Sequence, residues 1–277
     1  SPTMRSGGNN RGRQRRTYGS APKPRPTTPT AFNPPRVDVA PGFSHVTLPG
    51  NGHKLRVSVL GGLEEVGRNC TLLEYGNDII IIDLGLQFPE EDMPGIDYII
   101  PNMAYLKGRE KNIRGVIITH GHYDHIGGIP HLIPGLGNPP IYALPMTNGI
   151  IKKRQEDFKN VAPLNINNIK VDDKLQLGKF NLEFFHVNHN IPDSMGVVIH
   201  TPEGTVIHTG DWKFDPNPVI LPSSDFNALE AIGKEGVLAM VCDSTNVFQE
   251  GTAGSEGAIQ DNLIDLIKSY PKQRITV

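Results

Sequence analysis

Between Gly115 and Gly128 the chain runs from an apolar stretch, Gly115-Val-Ile-Ile-Thr119, directly into His120-Gly-His122-Tyr-Asp124-His125-Ile-Gly-Gly128. The first part reads as a buried strand. The second sets three imidazoles and a carboxylate within six positions at that strand's C-terminal end, where polar side chains must find partners or a cation. Any fold that accommodates this junction has to bring a sheet edge to a polar site. Imidazole and carboxylate without thiolate suit zinc or manganese and leave coordination positions open for water. His120 and His122 can converge on one cation while Asp124 and His125 swing toward a second. Gly121, Gly127 and Gly128 let the backbone turn tightly and the following helix pack close.

Upstream, Leu55-Arg-Val-Ser-Val-Leu60 alternates as a half-buried strand does. Cys70-Thr-Leu-Leu-Glu-Tyr75, the turn Gly76-Asn77 and Ile79-Ile-Ile-Ile82 predict a hairpin that enters a core and ends at Asp83. Downstream, helical periodicity covers 125–133 and 147–158, and strands are expected at 180–187, 195–200, 204–209 and 237–242. An amphipathic helix at 256–269 carries Ile259, Leu263, Ile264 and Ile267 on one face. Arg274-Ile-Thr-Val277 reads as a strand just beginning, so the sequence reads as truncated. Short strand-turn-strand spacings with occasional helices predict the α/β class with mixed sheets.

Two later residues extend the polar site. His189 follows the strand that ends near Phe185, and Asp211 ends the strand Val206–Thr209. Asp211 is placed to bridge two cations, with His189 as the third imidazole on the first. Taken singly, each reads as an ordinary hydrogen-bonded residue; beside the His120 cluster they read as ligands. His186 is expected to support or pack, as are His131, His200 and His208, while His45 and His53 lie near the start of the ordered region. Lys152-Lys-Arg154 reads as a solvated helix face, with phosphate contact as the alternative.

Charge is unevenly spread. Residues 1–40 hold eight Arg or Lys and one acid, about +7, which leaves about −9 on residues 41–277 of a total of −2. Residues 1–45 form a Pro/Arg-rich tail too poor in large aliphatics to offset ordering entropy, and it is expected to be disordered. It reads either as a basic arm for RNA or DNA or as a solvated linker. Cys70 and Cys242 stand alone in apolar runs, which excludes a disulfide framework or zinc ribbon and fits a cytoplasmic protein. No stretch approaches the roughly 18 apolar residues of a membrane span.

Asp83 after an apolar strand, the His120–His125 signature, His189 and Asp211 together resemble the metallo-β-lactamase superfamily. Within it, Gly61-Gly-Leu-Glu-Glu-Val-Gly-Arg-Asn69, Gly85-Leu-Gln-Phe-Pro89, Asn188-His-Asn-Ile-Pro-Asp-Ser194, Gly210-Asp-Trp-Lys-Phe-Asp215 and Cys242-Asp-Ser-Thr-Asn246 are similar to ribonuclease J. The resemblance implies an αββα sandwich over 46–222, with 223–277 opening an inserted beta-CASP domain at Asp243. It implies two zinc ions, with manganese or magnesium as alternatives, held by His120, His122, Asp124, His125, His189 and Asp211. Asp124 also orients the nucleophile, and Asp83 holds the metal-binding loop without being a ligand. From the residues alone, a strand-end turn former is the alternative reading of Asp83.

By the same resemblance the full-length protein hydrolyses single-stranded RNA, as a 5′-to-3′ exonuclease and an endonuclease, in RNA processing and decay. It also implies homo-oligomers and partners in an RNA-degrading complex. The histidine that protonates the leaving 3′-oxygen in that family is absent here, so this chain alone is expected to be weak or inactive. Two rivals stand beside this reading: a small-molecule ester, thioester or lactone hydrolase of the same superfamily, and a non-catalytic scaffold of RNA degradation. The Asp243-Ser-Thr-Asn246 string opposes the first, and the complete ligand set opposes the second.

Overall fold

The computed structural model describes residues 54–158, 161–252 and 254–276. The basic tail and His45 and His53 lie outside the described residues. Two sheets are formed. The first has six strands in sequence order: β1 (Leu55–Gly61), β2 (Cys70–Tyr75), β3 (Asp78–Ile82), β4 (Ile113–Ile117), β5 (Ile141–Ala143) and β6 (Ile166–Asn168). Its first two pairings are antiparallel and the rest parallel, so the sheet is mixed as the sequence predicts. The second sheet is an antiparallel meander of β7 (Lys174–Leu177), β8 (Phe180–His186), β9 (Met195–Thr201) and β10 (Gly204–His208). To β10 is added, in parallel, β11 (Ala239–Val241).

Period-2 alternation makes the layers. Ile79 and Ile81 face one way, into a cluster with Val116, Ile118, Ile126, Leu132 and Ile151. Ile80 and Ile82 face the other, meeting Ile117, Phe180, Leu182, Val197 and Val206 between the sheets. Phe185, Val198 and Ile207, on the far side of the second sheet, pack with Leu229 and Ile232. These last two belong to α4 (Phe226–Glu235), capped by Asp225, whose side chain accepts from Ala228 N. Helix, sheet, sheet and helix follow in that order, the αββα arrangement, and each fully buried Ile or Leu in it contributes about 1.5–3 kcal/mol.

Several elements differ from expectation for local reasons. The stretch expected as one helix over 125–133 is two single turns, α1 (Tyr123–Ile126) and α2 (Ile129–Leu132), followed by a 3-10 turn at Ile133–Leu136. Pro130 has no N–H to continue the ladder, and Gly128 N instead donates to Leu84 O at 2.9 Å. The next helix, α3, is Pro145–Gln155, beginning at Pro145 with its preset φ and ending three residues before Phe158. The strand expected to run to Thr119 stops at Ile117. The strand expected at 237–242 is Ala239–Val241, β11, at the edge of the second sheet. No strand is formed at 274–276, and Val277 lies outside the described residues. The final helix, α5 (Glu256–Ser269), has the bounds expected of it and is capped by Ser255.

Strands of both sheets end along one edge of the sandwich. Asp83 N donates to Ile117 O at 2.9 Å there, and Met195 N donates to Thr119 O at 3.0 Å, tying the second sheet to the end of β4. Among the described residues no helix is long and apolar enough to cross a membrane.

Candidate metal centre

Four strand ends deliver the polar residues. Asp83 follows β3, His120 to His125 follow β4, His189 follows β8 and Asp211 follows β10. His120 Nε2 lies 3.0 Å from His122 Nδ1, and His189 Nε2 lies 3.1 Å from the same atom. Beside this trio, His125 Nε2 lies 3.4 Å from Asp124 Oδ2 and 3.4 Å from Asp211 Oδ1. Asp211 turns its other oxygen toward the trio, Oδ2 standing 3.8 Å from His189 Nε2. All six residues expected to be ligands therefore converge, and Asp211 faces both halves of the cluster. His120 sits between the halves, its ring 4.0 Å from that of His125, and its nitrogen is near both sets of donors.

The donor set suits a divalent cation. A tetrahedral zinc with N ligands at 2.0–2.1 Å needs donors about 3.3 Å apart, close to the imidazole separations found. Burial pushes His120 far below the ordinary histidine range, with the neighbouring imidazoles adding to it, and burial likewise lowers His122 and His189. Three imidazoles held neutral offer lone pairs, the form a metal requires. Burial alone would lower His125 too, but Asp83, Asp124 and Asp211 hold it well above the ordinary range. Three carboxylates thus surround one buried ring, an excess of negative charge that a cation would balance.

Asp83 is fully buried and adopts φ 63, a left-handed conformation that Asp tolerates better than most residues. Its Oδ1 accepts from Thr119 N at 2.8 Å, and its Oδ2 accepts from Thr119 Oγ1 at 2.9 Å. Oδ2 also lies 2.8 Å from His125 Nδ1. That contact assigns the Nδ1 proton and leaves His125 Nε2 facing Asp124 and Asp211.

One supporting residue, Asn69, escapes a reading of the sequence, and another, His208, makes the hydrogen bond expected of it at a place the sequence does not mark. Asn69, within a quoted string but given no role there, places Nδ2 3.3 Å from Asp124 Oδ2 and 3.2 Å from Asp124 O. Its backbone N donates to Asp124 O at 2.9 Å, so both ends of Asn69 fix the turn that carries Asp124. Approach is so close that a β-carbon on Gly85 would meet Asp124 O at 1.6 Å. His208 accepts from Gly210 N at 3.1 Å through Nδ1 and shapes the turn, with Gly210 at φ 58, that presents Asp211. The signal for Asn69 is that it neighbours the Gly61–Asn69 glycines, and nothing in its residue type marks it. The other histidines among the described residues lie apart: His186 Nε2 meets Pro222 O at 2.9 Å, His200 meets Thr205, and His131 meets Tyr98.

The family described as the Metallo-beta-lactamase superfamily matches residues 63–241. The chain is 42% identical over 212 residues to "Ribonuclease J" of Sinorhizobium meliloti, covering 75% of this chain and 37% of that protein. It is 41% identical over 218 residues to "Ribonuclease J" of Thermus thermophilus, covering 76% and 38%. "Ribonuclease J 1" of Streptococcus pyogenes is 39% identical over 226 residues, with 82% and 40% covered. The chain thus spans about two fifths of the length of these curated relatives. A solved protein of unknown function from Enterococcus faecalis V583 shares the fold, with a TM-score of 0.61 at 18% identity over 80% of this chain and 59% of that one.

Proposed function

The chain belongs to the metallo-beta-lactamase superfamily, and from that premise we propose that it carries the catalytic metal centre of a ribonuclease acting on single-stranded RNA. The observation that carries this reading is the division of Asp211, one oxygen toward His125 and the other toward His189. A carboxylate with one oxygen toward each half of the cluster is placed to serve two cations. The identity of about 40% to proteins named ribonuclease J directs the reading to RNA.

His120, His122 and His189 would hold one ion, and Asp124, His125 and Asp211 a second, with Asp211 common to both. Two zinc ions bound there would supply Lewis acidity toward a phosphodiester and a nucleophile drawn from water at neutral pH. Asp124, steadied by Asn69 at 3.3 Å, would orient that water. Asp83 keeps His125 in one tautomer and one orientation. The protonation of the leaving oxygen is assigned to no residue of this chain. Cytoplasmic RNA decay, exonucleolytic and endonucleolytic cleavage, homo-oligomers and association with an RNA-degrading complex complete the proposal by likeness to the relatives.

The test is substrate competition on the natural polypeptide loaded with zinc. Cleavage of a 5′-monophosphorylated single strand, with an aryl thioester and a lactone left essentially untouched, supports the reading. Turnover of the thioester or lactone without strand cleavage hands the site to a small-molecule hydrolase. Strand binding with no turnover of any substrate leaves only a scaffold.

A further inference from the structure

The basic run Lys152-Lys-Arg154 near the end of α3 does not behave as one solvated face. Lys152 and Lys153 are exposed, and Lys153 Nζ pairs with Glu156 Oε2 at 2.6 Å. Arg154 is half-buried. Its guanidinium carbon stands 4.4 Å from the ring centre of Tyr123 and 5.4 Å from that of Phe158. The Phe158 ring in turn meets His131 edge-on at 5.0 Å, and His131 is stacked on Tyr98 at 4.2 Å. A cluster of aromatic rings therefore holds one cation, and Arg154 Nε is buried there without an acceptor among the described residues.

The position of this cluster is tied to the metal centre. Tyr123 lies between the candidate ligands His122 and Asp124, and its ring is 43% exposed. The helix that carries Arg154 packs on the same turn, since a β-carbon on Gly121 would meet Ile150 Cδ1 at 2.7 Å. Ile150 and Arg154 are four residues apart and share a helix face, so the guanidinium projects from the side of α3 that meets the histidine turn.

Chemistry selects the ligand. The guanidinium carbon lies over two rings, Nε is buried against them, and the terminal N–H groups make no hydrogen bond among the described residues, which leaves that outer pair for phosphate oxygens. No carboxylate of the described residues forms an ion pair with Arg154. Residues 41–277 carry about −9, so a polyanion can approach only where cations are locally placed.

We infer that Arg154, clamped between Tyr123 and Phe158, is a phosphodiester-binding subsite that positions a single RNA strand beside the metal centre. This inference rests on the nuclease reading and adds to it a residue through which the strand is held. The competing role is a purely structural staple, in which the cation–π contacts serve the fold alone.

The experiment is fluorescence anisotropy with the natural polypeptide and a dye-labelled, slowly cleaved phosphorothioate oligouridylate, titrated over a series of salt concentrations. Arg154→Ala is expected to weaken Kd about ten-fold, and to reduce the slope of log K against log salt by about 0.7, one single-strand phosphate contact. Arg154→Lys, which keeps the charge and loses the planar fork, retains the slope while binding a few-fold more weakly. Lys153→Ala removes the same charge one residue away and leaves Kd within about two-fold. Melting curves run beside these titrations; the Arg154→Lys result stands even where Arg154→Ala unfolds. An Arg154→Ala variant that is folded and binds with the wild-type Kd and slope overturns the subsite, as does an equal loss from Lys153→Ala. Cleavage of an unmodified strand by the same wild-type preparation separates the two failures: cleavage with an unchanged Arg154→Ala slope sinks this inference alone, and no cleavage sinks the nuclease reading and this inference with it.

Discussion

In the ribonuclease proposed above, replacing Asp211 with alanine is expected to lower kcat/KM on single-stranded RNA by about a thousand-fold or more, which corresponds to about 4 kcal/mol of transition-state stabilisation. The size follows from what its two oxygens face. One is 3.4 Å from His125 Nε2 and the other 3.8 Å from His189 Nε2, so its loss strips a donor from both halves of the centre at once. Asp211 is also held as the charged form: burial would raise its carboxyl, but His125 and then His189 and His122 keep it below the usual carboxylate range. Asp211→Asn keeps the shape and gives up the charge, and is expected to lose nearly as much. Steady-state kinetics at saturating zinc measure the effect. Activity of Asp211→Ala within ten-fold of wild type would show that the carboxylate is not shared between two ions.

Asp83→Ala acts through stability and through the metal together. Three buried groups lose their acceptor: Thr119 N, Thr119 Oγ1 and His125 Nδ1. Leaving a buried donor unsatisfied costs about 1–3 kcal/mol, and alanine at φ 63 adds backbone strain of about 1–2 kcal/mol. Thr119 Oγ1 can turn to His120 Nδ1 3.1 Å away, so the other two donors and the strain together give an expected loss of about 3–8 kcal/mol in urea denaturation, a large share of the stability of an ordinary domain. Asp83→Asn tolerates the same backbone and keeps one acceptor. It is expected to fold and to bind zinc about 10–100-fold more weakly, because His125 loses the partner that orients it. A chelator competition reads that affinity. Equal zinc affinity in Asp83→Asn and wild type contradicts the supporting role.

Much of this centre is legible along the chain because its chemistry is concentrated. His120 to His125 fall within one turn after a strand, and ligand-type side chains at such density have few uses other than a cation. The hairpin of β2 and β3 and the helix α5 are legible for a similar reason, each being long enough to show its period. β5, β6 and α4 are not. Three-residue strands such as Ile141–Ala143 and Ile166–Asn168 are too short for alternation to register, and both are specified by pairing with a neighbour far away in sequence. Helix α4 carries a signal in its Asp225 cap and in Phe226, Leu229 and Ile232 at three-residue spacing, but at ten residues that period is too short to stand out from the surrounding loops. Single turns α1 and α2 show a tertiary demand overriding periodicity, since Gly128 is drawn off to Leu84 O. Side-chain partners such as Asn69 and Arg154 are settled only in three dimensions. Asn69 reaches Asp124 across 55 positions, and Arg154 finds Tyr123 across 31, distances at which residue type alone says nothing about contact.

Two ions sharing Asp211 would set the metal content, and elemental analysis of the natural polypeptide, purified without chelator and dialysed against zinc, counts them directly. Two zinc equivalents per chain, falling toward one or none in Asp211→Ala, is the result the geometry predicts. A wild-type protein that holds one equivalent, or none, contradicts it.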